Sequence, residues 1–204
     1  MTSADQSADT IQSSVRIIVH GGVKLGFMTS VGVVAFALVS RVTGGAAELI
    51  IQSVFVLAGG ALFSYLPAAW VKPRDVDSIA WTSLTGLLGA LTFTVVDTVI
   101  LRPLNVYHWS WDQIGGGSGF WYIPVWWMGA TVLAWLGAWI YSAESRSGSV
   151  NLSVVAAKTV IGSVVLFVIV GILRVGPFSA AMMALCFCLA LAGQVVLASV
   201  LNRK

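Results

Sequence analysis

The stretch Trp121–Gly148, WYIPVWWMGATVLAWLGAWIYSAESRSG, decides how the rest of the chain is read. It carries five of the nine tryptophans and ends abruptly in a polar turn that contains Arg146. Trp121, Tyr122, Trp126 and Trp127 gather at its start, where amphipathic rings favour the headgroup layer. Pro124 falls in the first turn, where a missing N–H costs nothing. No charge interrupts the run from Trp121 to Ser142. Those residues rise about 33 Å as a helix, enough to cross a hydrocarbon core of roughly 30 Å. The stretch reads as a transmembrane helix.

Composition extends that reading to the whole chain. Of its 204 residues 58% are hydrophobic and 9% charged, whereas about a quarter of a soluble domain is charged. Hydropathy marks six spans, about 17–39, 49–70, 79–100, 121–142, 152–173 and 178–201. Lipid offers no partner to an exposed backbone group, so each must be helical. The expected fold class is an all-α membrane protein, a six-transmembrane-helix bundle with both termini cytoplasmic. Residues 1–15 are expected to form a disordered tail, since they lack the basic start and cleavage site of a signal peptide. Residues 16–204 form a single membrane domain.

Lysine and arginine set the orientation. Arg16, Lys72, Arg74, Arg146, Arg203 and Lys204 lie on the side of the N-terminus, against Arg41, Arg102 and Arg174 on the other. That excess predicts cytoplasmic termini. Lys24 and Lys158 map inside spans 1 and 5 and are expected to snorkel toward the same side. The one long connection, Arg102–Phe120, should lie along the opposite interface through Tyr107, Trp109 and Trp111. Its Gly115–Gly119 run reads as a flexible return into span 4, because no Lys-Ser/Thr pair follows to make a phosphate loop. No basic run interleaves with exposed aromatics, which argues against nucleic-acid binding.

Reactive clusters are sparse. His20 and His108 fall on opposite sides of the membrane, and no metal-ligand spacing is present. Cys186 and Cys188 stand about 200° apart on a helix and read as apolar filler. No nucleophile elbow or carboxylate pair appears, so no catalytic residue, metal or cofactor is assigned. Asp97, inside span 3, has two readings. It reaches the headgroups or pairs with Arg102, or it lines a polar spot in an interior cavity. Gln52 poses the same choice and could meet Asp97 at one depth. Gly22-xxx-Gly26 and Gly86-xxx-Ala90 permit close helix approach, or line the floor of a lipid-sized cleft. Phe27, Phe55, Phe93 and Trp127 would then be wall residues.

The exit of span 4 resembles the Insig (insulin-induced gene) family, six-helix membrane sterol sensors. It reads Leu136-Gly137-Ala138-Trp139-Ile140-Tyr141 and then Ser145-Arg146-Ser147-Gly148. The family has a Gly-x-Trp-Trp helix end followed by Asp-Arg-Ser-Arg-Ser-Gly. HGGVKLGFMTSVGVVAFAL in span 1, Tyr65-Leu66-Pro67 and Trp81-Thr82-Ser83 are similar to family features in the same order. Ala143 replaces the family's partner-binding aspartate, and Glu144 follows where the family has arginine.

The resemblance implies a protein that is not an enzyme and holds a bound lipid, diacylglycerol-like or sterol-like, among its helices. Phe27, Gln52, Phe55, Phe93, Asp97 and Trp127 are the candidate lipid contacts. Gly86, Trp139, Glu144 and Arg146 are the candidates for a homo-oligomer contact through helices 3 and 4. The sterol-sensing escort protein and the reductase that animal Insig proteins grip are not carried over, given Ala143. The Ala-, Val- and Gly-rich composition suggests a bacterial plasma membrane. Two other readings remain open: a small transporter or lipid- or isoprenoid-modifying enzyme using Asp97, and a structural accessory subunit. A fluorescent protein fused after Lys204 should fluoresce, and an export-dependent phosphatase fused there should be inactive; the reverse pair of results would invert the orientation.

Overall fold

The computed structural model describes the backbone of residues 3–106, 122–146 and 148–201, with side chains described over 14–106, 123–146 and 148–200. The expectations for Tyr107, His108, Trp109, Trp111, Gly115–Gly119 and Trp121 fall outside the described residues. Six long helices are present among those described: α1 (Ser3–Val42), α2 (Gly45–Val71), α3 (Val76–Val96), α4 (Tyr122–Ser145), α5 (Leu152–Ile172) and α6 (Ala180–Leu201). A π-helical turn, Asp97–Leu101, continues α3. No strand occurs among the described residues. All six helices are long and apolar enough to cross a membrane, over Ser14–Val42, Gly45–Val71, Val76–Leu101, Ile123–Ser145, Leu152–Ile172 and Ala180–Val200. The chain therefore has the architecture of an integral membrane protein.

Most spans exceed the limits set by hydropathy at one or both ends, because backbone hydrogen bonding continues past the last apolar residue. The largest difference is at the start. Residues expected as a disordered tail form the first turns of α1, which begins at Ser3. Once a helix is nucleated, each added residue costs little.

The connections are closed by local chemistry. Lys72 ends α2 in the left-handed conformation (φ 54°) and donates its N–H to the Ala68 carbonyl, and Pro73 follows. Asp75 then starts α3 with a reciprocal cap. Its carboxylate accepts the Ser78 N–H at 2.8 Å, while the Asp75 N–H donates to the Ser78 hydroxyl. The Ser78 hydroxyl and amide hold the Asp75 carboxyl below its ordinary pKa. Asn151 caps α5 through the Val154 N–H.

Helix α2 touches all five other helices. Around it α1 packs on α3, α3 on α4, α4 on α6, and α6 on α5. Tyr65, Ile140, Val155, Phe187 and Leu191 form one core among α2, α4, α5 and α6. Leu25, Phe63, Ala90 and Ala130 form a second among α1 to α4. The two cores lock the last third of α2, where Phe63, Ser64, Tyr65, Pro67 and Ala68 are buried; in its first half Ser53 alone is. A third core, Phe167, Met183 and Cys186, joins α5 and α6 at the other end, with Leu49, Val56 and Leu57 of α2 packed against it.

Glycines make the tightest contacts. A methyl group on Gly137 would overlap the Ser64 carbonyl oxygen, and one on Gly86 would stand 2.5 Å from the Ala134 Cβ. Gly60 faces the Phe187 ring, whereas Gly59 faces open space. Gly137→Ala should therefore destabilise the bundle by about 3 kcal/mol, at the upper end of overpacking costs. Gly59→Ala should be neutral or slightly stabilising. Thermal unfolding in detergent separates the two, and equal midpoints would show that α2 and α4 do not pack this closely.

Candidate functional site

Helices α1 and α3 meet backbone to backbone and then part. At the meeting point a methyl on Gly22 would lie 2.5 Å from the Leu88 Cβ, and one on Gly26 2.5 Å from the Thr92 Cβ. The Leu25 side chain fills the space above Gly89 from the other direction. These small-xxx-small steps make a close crossing, not the floor of a cleft. One turn further along α1, Ser30 and then valine and leucine take the place of glycine.

The gap is a groove of about 410 Å³ lined by Phe27, Ser30, Val31, Val34, Ala35, Leu38 and Val96. The Ser30 hydroxyl donates to the Gly26 carbonyl of its own helix at 2.9 Å, so it offers the groove little polarity. Val31 is 71% exposed, and Phe27 and Leu38 are more than half exposed. The groove therefore opens sideways from the bundle, toward what would be lipid.

Its end away from the termini is tied shut. Arg41, in the last turn of α1, donates from one Nη to the Val106 carbonyl at 2.5 Å and the Asn105 carbonyl at 3.2 Å. Those carbonyls are presented by the turn after α3, with Asn105 in the left-handed conformation (φ 51°). The π-turn leads into it: the Arg102 N–H reaches back five residues to the Asp97 carbonyl at 2.9 Å. Asp97 is fully buried, and its carboxylate lies 3.5 Å from Arg102 Nε. Of the two sequence readings, pairing with Arg102 is the one realised, but in a buried position.

The residues expected to contact lipid do not converge. Phe27 alone lines the groove. Gln52 does not meet Asp97; its amide donates to Glu48 at 2.9 Å and toward Ser40 at 3.5 Å, joining α2 to α1. Phe55 packs edge-on against Phe36 at 5.7 Å. Phe93 is buried, with its ring 6.0 Å from Trp126, and Trp127 Nε1 donates to the Thr94 hydroxyl at 3.1 Å. These are contacts between neighbouring helices. The other lining residues are Ser30, Val31, Val34, Ala35, Leu38 and Val96; none is aromatic, and the single hydroxyl among them bonds within its own helix. The α1 members do form one helical stripe, but any lipid-facing stripe has the same spacing.

The oligomer candidates divide similarly. Gly86 is buried against Ala130 and Ala134 of the same chain, which removes it from any surface between copies. Trp139 stays 40% exposed, donates to the Ser199 hydroxyl of α6, and stacks edge-on with Trp135 at 5.9 Å. Glu144 is half-buried and Arg146 exposed. Ser142 beside them reaches the Arg74 carbonyl, so the exit of α4 leans on the α2–α3 turn.

A polar node escaped the sequence reading. The buried Tyr65 hydroxyl is shared with the Thr159 hydroxyl and lies 3.4 Å from Gln194 Oε1, joining α2, α5 and α6. Its three members are far apart in sequence, and only packing brings them together. Cys186 is buried and Cys188 exposed, as their helical spacing requires. Lys24 reaches along α1 to lie 5.7 Å from the Trp70 ring centroid. No group of three His, Cys, Asp or Glu that could hold a metal occurs among the described residues.

Fold and site together define a six-helix membrane protein with a lateral apolar groove between its first and third helices. No family model, curated protein or solved structure matches the chain.

Two substitutions test the polar contacts. Asp97→Asn should cost about 1–3 kcal/mol, because Arg102 loses a charged acceptor in a largely dry site. Tyr65→Phe should cost about 1 kcal/mol, since Thr159 keeps the Val155 carbonyl as a partner. Unfolding midpoints check both, and an unchanged midpoint for Asp97→Asn would mean the ion pair adds no stability.

Proposed function

We propose that this chain is a non-catalytic lipid-binding protein of the bacterial plasma membrane, with its termini in the cytoplasm. The observation that carries the reading is the groove. Its walls are apolar side chains, it opens toward the surrounding lipid, and its volume of about 410 Å³ falls within the range of roughly 300–1,000 Å³ common to ligand sites. That volume suits one hydrocarbon chain better than a whole two-chain lipid. The similarity of the α4 exit to Insig proteins supports the same class of function. Self-association through α3 and α4, if it accompanies binding, would use the exposed Trp135 and Trp139 rather than Gly86.

A second reading draws on Asp97, a carboxylate fully buried within a span, as the proton carrier of a small transporter or the acid of a lipid- or isoprenoid-modifying enzyme. Its pairing with Arg102 gives it a structural role already, which favours the first reading.

Native mass spectrometry of the purified protein, followed by organic extraction, tests the proposal. The wild-type chain should retain about one lipid per protomer. Val34→Trp, which places an indole in the groove, should lose that lipid while keeping its helical circular dichroism and unfolding midpoint. A wild-type protein that emerges lipid-free from mild detergent, or a Val34→Trp variant that keeps its lipid, would defeat the reading.

A further inference from the structure

Accepting lipid binding at this groove, we propose that the occupant is an anionic glycerophospholipid, drawn from the leaflet on the Arg41 side, and that Arg41 receives its phosphate. The inference rests on the register of one helix face, the length of the groove and the charge at its rim.

Phe27, Val31, Val34 and Leu38 line the groove at spacings of four, three and four residues, and Arg41 follows three residues later. The same stripe of α1 therefore runs from apolar wall to guanidinium without turning away. From Phe27 to Leu38 the helix rises about 16 Å. Half of a bilayer core of roughly 30 Å is about 15 Å, so the groove has the length of one leaflet's acyl chain. A chain lying in it would bring its glycerol and phosphate to the level of Arg41.

Arg41 is suited to meet that charge. A guanidinium has five N–H donors, and the two contacts to Asn105 and Val106 both come from a single Nη. Those contacts hold the side chain in place and use only one Nη, and Arg41 is exposed. Among the described residues, the other charges at this rim are otherwise engaged. Arg102 is paired with Asp97, and Glu48 accepts from Gln52. Arg41 has no carboxylate within ion-pair distance among the described residues. A guanidinium held at the rim of the groove, with no carboxylate beside it among the described residues, favours phosphate through charge-assisted hydrogen bonds, which a neutral diacylglycerol cannot supply. A zwitterionic phosphatidylcholine offers the phosphate but adds a competing cation.

The test is a competition on delipidated full-length protein in neutral detergent, with phosphatidylglycerol, phosphatidylcholine and diacylglycerol of identical chains, read by native mass spectrometry. The wild type should favour phosphatidylglycerol over diacylglycerol by about tenfold, the scale of one charge-assisted contact. Arg41→Gln should bring the two within about twofold while still binding both, and Arg41→Lys should retain part of the preference. Should Arg41→Gln fail to fold, raising salt on the wild type should erode the preference instead. Glycerol phosphate without chains should not displace the lipid; displacement would mean a free-phosphate site and overturn the role of the groove. Equal binding of all three lipids by the wild type, or a preference untouched by Arg41→Gln, would overturn the assignment of Arg41 while leaving lipid binding intact. Failure of every lipid to bind would instead overturn the underlying reading.

Discussion

The contact of α1 with α3 is the constraint on which the rest of the bundle depends. Within a bilayer, helices gain nothing hydrophobic by leaving lipid for one another, so association rests on packing and on polar contacts. Gly22 and Gly26 let the backbone of α1 come close to Leu88 and Thr92 of α3, and Gly86 lets α4 approach the opposite face through Ala134. Helix α3 is consequently clasped on two sides, and its buried face runs its whole length, from Ile79 to Leu101. Gly137 repeats the device between α4 and the Ser64 carbonyl, bringing α2 into the same cluster.

The groove is a by-product of that contact. Helices that touch at Gly26 and cross diverge away from the crossing, and on one side Val31, Val34 and Leu38 line the space between them. Divergence would continue to the end of α1 if Arg41 did not bind the Asn105 and Val106 carbonyls. Those carbonyls are within reach because the π-turn at Asp97–Leu101 redirects the chain as α3 ends. Interruptions of this kind are common at functional sites. The pair of buried Asp97 and half-buried Arg102 spans the turn and ties its two ends together.

The remaining helices stabilise this arrangement from the other side of α2. The node joins buried Tyr65 and Thr159 with half-buried Gln194 in one satisfied set, which in lipid matters more for what it avoids than for what it adds. The first half of α2 packs Leu49, Val56 and Leu57 against Phe167, Met183 and Cys186 of α5 and α6, while Gln52 and Phe55 meet α1.

What the sequence determined by itself was the set of helices and their turns. Twenty-residue apolar runs have one solution in lipid, and Pro73, Asp75 and Asn151 mark boundaries through contacts within a few residues. The glycine steps were also readable, as positions where helices approach closely. What the sequence could not decide was which helix each glycine meets, because Gly86 facing its own α4 and Gly86 facing another copy have identical local patterns. The site was decided in the same way. Gln52, Phe93, Asp97 and Trp127 stood out because they are polar or aromatic, and the fold uses those properties to join helices. Apart from Phe27 and Ser30, the groove is made of valines, an alanine and a leucine whose character as wall or lipid-facing surface depends only on whether a second helix stands beside them. That is a property of the crossing of α1 and α3, and it exists only once the tertiary structure has formed.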